Sequence, residues 1–329
     1  MPANLTPEYK EAERAYREAK TPEAKLHCLE FMLSVIPKHK GTEKIQAELK
    51  KKIARLARDD KKKGASSRRS SMFNVPREGA GQVVMAGAPN SGKSSLLSGL
   101  TNANPEIAEY PYTTMKPQPG MIKYQNIRIQ LVDLPPISKD YTETWIPGVA
   151  RNADLALLLV NLGSDDVLEE TEFVINRLLA GKVELVDKVT KRFKPDGTAQ
   201  VKTRMVCTHA DLPGTDEILD LVLEVFGNRF PHWRVCAREK ESMSFLGEEI
   251  FKALEIVRVY TKSPGKPPDK TDPVTLPIGS TVMEFATDIH KDFASNLKYA
   301  RIWGRNKYDG QKVPRDYELM DEDVVELHD

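Results

Sequence analysis

The chain has 329 residues, of which 40% are hydrophobic and 29% charged, and its 49 basic and 48 acidic side chains leave a net charge of +1. A chain of this length and composition folds into two or three globular domains, which excludes disorder of the whole protein. Its longest strongly apolar run, residues 155–160, is far shorter than the roughly 20 residues that cross a bilayer. The amino terminus also lacks the apolar core of a signal peptide, so we expect a cytoplasmic protein with no membrane span.

Residues 1–63 predict a helical region, because apolar residues recur at helical spacing between Leu26 and Ile36 and again between Ile45 and Leu56. Residues 64–78, where small flexible residues mix with Arg, predict a basic flexible linker. Residues 50–69 hold 10 Lys and Arg against 2 Asp. Such a block can neutralise phosphates of RNA, although a charge run is more often only a solvated helix face or a linker.

Residues 79–254 alternate strand-like and helical patterns, which predicts an α/β domain with a mainly parallel sheet. The strand-like runs begin at Gln82, Ile127, Leu155, Arg204 and Trp233. Within this region, residues 182–201 contain a Pro-Asp-Gly turn between alternating residues and predict an inserted hairpin. Residues 255–329 then read as strand, loop, strand, helix, strand and strand, which predicts a small α+β domain.

The segment GAPNSGKS at residues 87–94 follows an apolar strand and precedes a helical pattern. Its spacing is typical of a loop that wraps a polyphosphate with backbone N–H groups at the positive end of a helix. Lys93 would reach the terminal phosphates and the Ser94 hydroxyl would bind Mg²⁺. An ordinary glycine turn is the alternative, which the strand-turn-helix context disfavours. The predicted phosphate-binding residues are Gly87, Ala88, Pro89, Asn90, Ser91, Gly92, Lys93, Ser94 and Ser95.

Polar residues also follow the other strand-like runs. Asp133 ends the run that begins at Ile127, and it can hold the Mg²⁺ shell. The segment THAD at residues 208–211 follows the run at Arg204, and Cys236 follows the run at Trp233. In a parallel sheet these positions lie beyond the carboxyl ends of the strands, where ligands bind.

The order and spacing of these segments resemble the five motifs of GTPases within the P-loop class. By that resemblance Asp211 accepts hydrogen bonds from guanine, and adenine is rejected because it would leave this acid unpaired. The resemblance further implies that Thr208 and His209 flank the base. It also makes Cys236 and Ala237 guanine-binding residues, with the Ala237 amide donating to the guanine oxygen. Family members usually have Asn-Lys-x-Asp and Ser-Ala at these places, so a preference for ATP stays open.

The segment EYPYTTMKPQPG at residues 109–120 resembles the switch region of Obg-like and developmentally regulated GTP-binding (DRG) proteins. The resemblance makes Thr113 and Thr114 switch residues, and Thr114 the second hydroxyl ligand of Mg²⁺ beside Ser94 and Asp133. Residues 255–329 resemble the TGS module, a β-grasp domain that closes the DRG chain. The implied architecture is a helical region, a P-loop GTPase domain and a TGS-like domain.

Two switch residues depart from these relatives. Pro136 replaces a glycine whose N–H contacts the γ-phosphate, and proline has no N–H to donate. Ile137 stands where many GTPases have a glutamine that orients the attacking water. Slow Mg²⁺-dependent hydrolysis is therefore implied, and Asn90 matches an asparagine that coordinates K⁺ in some relatives. A scaffold or sensor that binds GTP or GDP with negligible hydrolysis is the alternative.

The family likeness also implies partners. It makes residues 50–69 a contact with ribosomes or another RNA assembly and the TGS-like domain a docking site for a protein. The expected function is a molecular switch in which the γ-phosphate orders the loop at Thr114 and the segment after Asp133.

Overall fold

The computed structural model describes residues 7–19, 22–36, 42–61, 75–101, 117–139, 142–289, 297–305 and 307–328. The chain forms two compact units. The first comprises Met1–Ile122 and Ile129–Gly247, and the second comprises Lys123–Arg128 and Glu248–Asp329. Among the described residues, no helix has both the length and the apolar character that crossing a bilayer requires.

Three helices open the first unit: α1 (Pro7–Glu18), α2 (Pro22–Val35) and α3 (Glu43–Lys61). Proline begins both α1 and α2, where the fixed φ suits a helix and the missing N–H is not needed. The apolar faces of these helices form a core that also includes Phe193 and Ala199. These three helices, called the helical leader below, therefore pack on a distant part of the chain as well as on one another.

The remainder of the first unit is a sheet with helices along it. The elements in this part of the chain are β1 (Gln82–Gly87), α4 (Lys93–Thr101), β2 (Gln118–Tyr124), β3 (Ile127–Asp133), α5 (Ile146–Ala150), β4 (Leu155–Asn161), α6 (Val167–Ala180), β5 (Val183–Val186), β6 (Ala199–Thr208), α7 (Thr215–Phe226), β7 (His232–Arg234) and α8 (Lys240–Leu254). The turn between β2 and β3 and the last half of α8 belong to the second unit. The strand order is β2-β3-β1-β4-β6-β5, and β7 also pairs with β6. Strand β1 runs parallel to β3 and β4, and β6 runs parallel to β4, β5 and β7. The predicted α/β domain with a mainly parallel sheet is confirmed.

The hairpin predicted within residues 182–201 is present but short, because Phe193 pairs antiparallel with Ala199 and the Gln200 N–H donates to the Arg192 carbonyl at 2.9 Å. The residues before it form β5 instead, which runs parallel to β6 with Val183 opposite Ala199. The Pro-Asp-Gly turn itself is present. The Lys194 N–H donates to the Thr198 carbonyl at 2.8 Å, and Gly197 has a φ of 83°. The turn signal is local, whereas the direction of β5 depends on the sheet that β6 joins.

The second unit contains β8 (Ile256–Thr261), β9 (Val274–Pro277), α9 (Val282–Ile289), β10 (Tyr299–Trp303), β11 (Gln311–Val313) and β12 (Asp323–His328). Its five-stranded sheet has the order β11-β10-β12-β8-β9, with β12 parallel to β8 and the other neighbours antiparallel. A capping box starts α9, since the Thr281 N–H donates to Glu284 Oε2 at 2.8 Å and the Glu284 N–H donates to Thr281 Oγ1 at 3.3 Å. Phe285, Ile302 and Val325 lie in the core of this mixed α+β module, which confirms the predicted fold class.

Candidate functional site

Four parallel strands bring their carboxyl ends to one edge of the sheet. Gly87 ends β1, Asp133 ends β3, Asn161 ends β4 and Thr208 ends β6. The pairing registers place Met85 opposite Asp133 and Asn161 opposite Thr208. The glycine-rich loop after β1 therefore lies beside three polar residues from neighbouring strands.

Two glycines shape the loop of residues 87–94. A Cβ at Gly87 would lie 2.6 Å from Ser91 Oγ and 3.0 Å from the Leu159 carbonyl, so no side chain fits there. Gly92 has a φ of 85°, which glycine adopts without strain. The Leu96 N–H then donates to the Gly92 carbonyl at 2.9 Å and begins the hydrogen-bond ladder of α4. The loop thus enters a helix at its N-terminus, which is the arrangement that binds anions.

Lys93 is buried at the start of α4. Its Nζ donates to the Gly87 carbonyl at 3.1 Å, the Ala88 carbonyl at 2.7 Å and Ser91 Oγ at 3.0 Å. Because an ammonium has three N–H groups, the loop satisfies all of them. Burial lowers the pKa of Lys93 to about 8, and nearby carboxylates oppose that shift. A phosphate in the loop would favour the charged form of this lysine.

Asp133 lies beside the first turn of α4. The Ser94 hydroxyl donates to its Oδ2 at 3.4 Å, and its Oδ1 is buried with no hydrogen-bond partner among the described residues. Burial raises the pKa of Asp133 to about 6, against the opposing charge of Lys93. A hydroxyl and a carboxylate with a free oxygen are the hard ligands that Mg²⁺ prefers, so these two residues fit the ion. The predicted switch residues Thr113 and Thr114 lie outside the described residues.

The segment after Asp133 turns back into the core. The Ile137 N–H donates to the Gly87 carbonyl at 3.1 Å. Its side chain is only 1% exposed and belongs to the same core as Leu134 and Trp145. The Ile137 side chain is therefore packed inside the protein, while Pro136 is half-buried.

Asn161 contacts the exposed tip of the phosphate loop, and sequence reasoning missed it. Its Nδ2 donates to the Asn90 carbonyl at 3.2 Å, and its Oδ1 accepts the Gly163 N–H at 2.9 Å. Asn90 has a φ of 56°, a left-handed conformation that asparagine tolerates better than most residues. The available signal was a polar residue that ends the apolar run of β4.

Thr208 supports the phosphate loop from the neighbouring strand β6. It is buried, and its Oγ1 lies 3.1 Å from the Ser91 carbonyl and 3.2 Å from the Val160 carbonyl. His209 follows with a φ of 58°, and its Nδ1 lies 3.1 Å from the same hydroxyl. Thr208 therefore links the end of β6 to the loop between β1 and α4.

A cavity of about 320 Å³ lies beyond the ends of β6 and β7. The lining residues include Ala210, Asp211, Arg234, Cys236, Glu239 and Ser242. The structure thus brings together Asp211 and Cys236, two of the predicted guanine-binding residues, whereas Thr208 and His209 do not line this cavity. The Asp211 carboxylate is 3.8 Å from the guanidinium of Arg238. Glu239 and Ser242 carried no motif, so sequence reasoning did not select them.

Comparisons with known proteins support the GTPase and TGS domains. The family model described as "50S ribosome-binding GTPase" matches residues 82–191, and the model described as "TGS domain" matches residues 257–329. A GTP-binding protein of Methanocaldococcus jannaschii is 27% identical over 93% of this chain and 92% of its own length. Developmentally-regulated GTP-binding protein 1 of Xenopus laevis is 28% identical over 92% of this chain and 98% of its own length. The solved structure of the YchF GTPase of Schizosaccharomyces pombe shares the fold, with a TM-score of 0.50, 13% identity and coverage of 78% of this chain and 99% of that chain.

The phosphate loop on a parallel sheet, followed by a TGS domain, defines a GTP-binding protein of the P-loop GTPase class. Similarity over most of the chain then narrows the assignment. Over 92% of its length the chain is similar to developmentally regulated GTP-binding proteins, which its switch segment and closing module also resemble.

Proposed function

We propose that this protein hydrolyses GTP slowly with Mg²⁺ and acts as a molecular switch on cytoplasmic ribosomes or another RNA assembly. The observation that carries the proposal is the convergence of Lys93, Ser94 and Asp133 on one glycine loop, with Asp133 Oδ1 buried and without a partner among the described residues. Such a loop binds the polyphosphate of a nucleotide through backbone amides and the lysine.

Ser94 and Asp133 would hold the metal, with Thr114 as the third ligand that the family resemblance implies. When bound, Mg²⁺ would neutralise charge on the phosphates. The backbone amides of the loop and the Lys93 ammonium would stabilise the charge that develops as water displaces the γ-phosphate. Asp211 would bind guanine.

Slow hydrolysis follows from Pro136 and Ile137, which come shortly after Asp133 in the chain. Pro136 offers no N–H to the γ-phosphate, and the Ile137 side chain is packed in the core, so it cannot orient a water molecule. These same residues favour a second candidate function, a scaffold that binds GTP or GDP with negligible hydrolysis. Single-turnover release of phosphate, measured with and without ribosomes, separates the two, because a scaffold releases none in either condition.

Replacing Pro136 restores an N–H donor and is expected to increase the preference for GTP over GDP. One charge-assisted hydrogen bond contributes about 1.5 to 3 kcal/mol, so the ratio of the two affinities should rise roughly ten- to a hundredfold. Calorimetric titration of Pro136→Gly and Pro136→Ala with both nucleotides measures this ratio. Alanine serves as the control, because it supplies the N–H without the added backbone freedom of glycine. An unchanged ratio in both variants would contradict the role of proline.

Asn90 leads us to expect modestly faster hydrolysis in K⁺ than in Na⁺ buffer, because a cation beside the phosphates offsets charge in the transition state. Turnover is measured at equal ionic strength in the two salts. The matched variant is Asn90→Gly, which keeps the left-handed backbone and removes the side-chain amide. Equal rates in both salts for the wild type would contradict the proposed K⁺ site at Asn90.

The basic residues 50–69 are proposed as the ribosome or RNA contact, and the match to the family of 50S ribosome-binding GTPases supports a ribosomal partner. Lys50, Lys51 and Lys52 lie exposed on α3, within the described part of this segment. Cosedimentation with ribosomes should be stronger with a GTP analogue than with GDP. Changing these three lysines to glutamine should weaken it and flatten its salt dependence.

A matched control changes three exposed cations of α1, Lys10, Arg14 and Arg17, to glutamine. This control removes the same charge and should bind ribosomes as the wild type does. If the α3 variant binds ribosomes with an unchanged salt dependence, the proposed contact through residues 50–69 is wrong. The TGS domain is proposed as the docking site of a protein partner.

A further inference from the structure

The turn at residues 236–239 forms one wall of the cavity beyond β6 and β7. The Val235 N–H donates to the Cys207 carbonyl at 2.9 Å, which ties the start of the turn to β6. The Glu239 N–H donates to the Cys236 carbonyl at 3.1 Å and closes the turn. Between them, the Ala237 N–H makes no hydrogen bond to any residue that the structure describes, so it remains free for a ligand.

Ser242 holds this turn from the first part of α8. Its Oγ accepts the Cys236 N–H at 2.8 Å, and Ser242 also lines the cavity. Because Cys236 is only 7% exposed, water cannot readily replace the serine as the partner of that N–H. Removal of the hydroxyl would leave a buried donor unsatisfied, which favours rearrangement of the turn.

The helix that follows the phosphate loop supports the same turn from another direction. A Cβ at Gly99 of α4 would lie 3.0 Å from Met243 Sδ and 3.5 Å from the Ala237 carbonyl oxygen. Glycine therefore lets α4 approach both the turn and α8. The close approach at Gly99 is to Met243, the residue after Ser242, so α4 packs directly against the part of α8 that holds the turn.

We propose that Ser242 is a positioning residue for base recognition, which presents the Ala237 amide to the carbonyl oxygen at position 6 of guanine. This inference rests on the proposed binding of guanine nucleotides. Asp211 follows β6 on a different loop, so its recognition of the ring N–H and 2-amino groups is separate from the turn. Ser242 thus governs one of two contacts with the base.

The test uses three nucleotides: GDP, inosine diphosphate, which lacks the 2-amino group, and 2-aminopurine riboside diphosphate, which lacks both the 6-oxygen and the ring N1–H. Because substitution of Ser242 leaves Asp211 in place, a change on mutation in the preference for GDP over the 2-aminopurine nucleotide reports the contact with the 6-oxygen. In Ser242→Ala, the preference for GDP over the 2-aminopurine nucleotide should fall about three- to tenfold, the value of one hydrogen bond. The preference for GDP over inosine diphosphate should change less than twofold. Ser242→Thr keeps the hydroxyl and should restore the first preference.

Gly99→Ala is the second variant if Ser242→Ala folds poorly, because its methyl group would lie 3.0 Å from Met243 Sδ and should lower the same preference by shifting α8 beside Ser242. Thermal unfolding of each variant reports folding separately from base selectivity. The inference is overturned if the preference for the 6-oxygen is unchanged in both variants, or if all three nucleotides weaken equally. If the wild-type protein binds GDP and ADP alike, the proposed guanine site fails and the inference fails with it. A wild-type guanine preference with no effect of Ser242→Ala or Gly99→Ala rejects the inference alone.

Discussion

Lys93→Met should lower the affinity for Mg·GTP by about a hundredfold or more. The buried ammonium donates three hydrogen bonds inside the phosphate loop, and we expect a bound polyphosphate to replace two of them. Charge-assisted hydrogen bonds contribute about 1.5 to 3 kcal/mol each, so two of them account for roughly 3 kcal/mol or more. Calorimetric titration of wild type and variant with GTP in the presence of Mg²⁺ measures the difference.

Loss of binding by Lys93→Met is separated from unfolding by the stability of the protein without nucleotide. Burial lowers the pKa of Lys93 to about 8, which offsets part of the stabilisation from its three hydrogen bonds, so thermal unfolding of both proteins without nucleotide shows whether Lys93→Met still folds. The control Lys188→Ala removes an equal charge from an exposed position and should bind GTP normally. A Lys93→Met protein that binds GTP within threefold of the wild type would contradict the assigned role.

Phe193→Ala should destabilise the first unit by about 3 to 5 kcal/mol, the usual cost of truncating a buried aromatic side chain. Phe193 is 2% exposed and meets the ring of Phe31 edge to face, with centroids 5.4 Å apart. The guanidinium of Arg192 lies 5.2 Å from the centre of the same Phe31 ring and donates to the Ala153 carbonyl at 2.7 Å. The truncation therefore leaves a cavity where the helical leader packs.

Urea denaturation of wild type and Phe193→Ala, followed by circular dichroism, measures this cost. Phe245→Ala is the matched control, because its ring is 44% exposed and should cost less than about 1 kcal/mol. An effect of Phe193→Ala below about 1 kcal/mol would show that the leader does not depend on this contact. A large effect would make the helical leader part of the folding unit that carries the phosphate loop.

Much of the first unit could be predicted from the sequence because its signals are local. The spacing of Gly87, Gly92 and Lys93 describes a continuous loop, and an apolar strand before it and a helix after it lie within a few residues. The position of Asp133 followed from one rule, that parallel strands bring their carboxyl ends to one edge. The switch segment and the TGS pattern then pointed to the family that the chain resembles.

Long-range contacts could not be predicted in the same way. Phe193 reads as part of a hairpin, yet it joins the core of helices that precede it by more than a hundred residues. A Cβ at Gly197 would lie 2.7 Å from the Cβ of Ala24, so this turn fits closely against α2. No spacing rule connects two segments so far apart, because the contact depends on how the completed sheet places them.

Within the site, the unforeseen residues act through other residues. Asn161 contacts the Asn90 carbonyl of the phosphate loop, and Ser242 accepts a backbone N–H of the turn at residues 236–239. Their side chains form hydrogen bonds with backbone groups, and many residue types with a hydroxyl or an amide can form such bonds. Such positions carry no motif, and they become visible only when the strand ends are in place.

Titration of the purified protein with guanine and adenine nucleotides tests the central claim most directly, namely that the loop around Lys93 binds a nucleotide through Mg²⁺. We expect one site that binds GDP and GTP, with the triphosphate affinity falling when EDTA removes the metal and with ADP and ATP binding more weakly. Absence of any nucleotide uptake by the wild-type protein would contradict the claim.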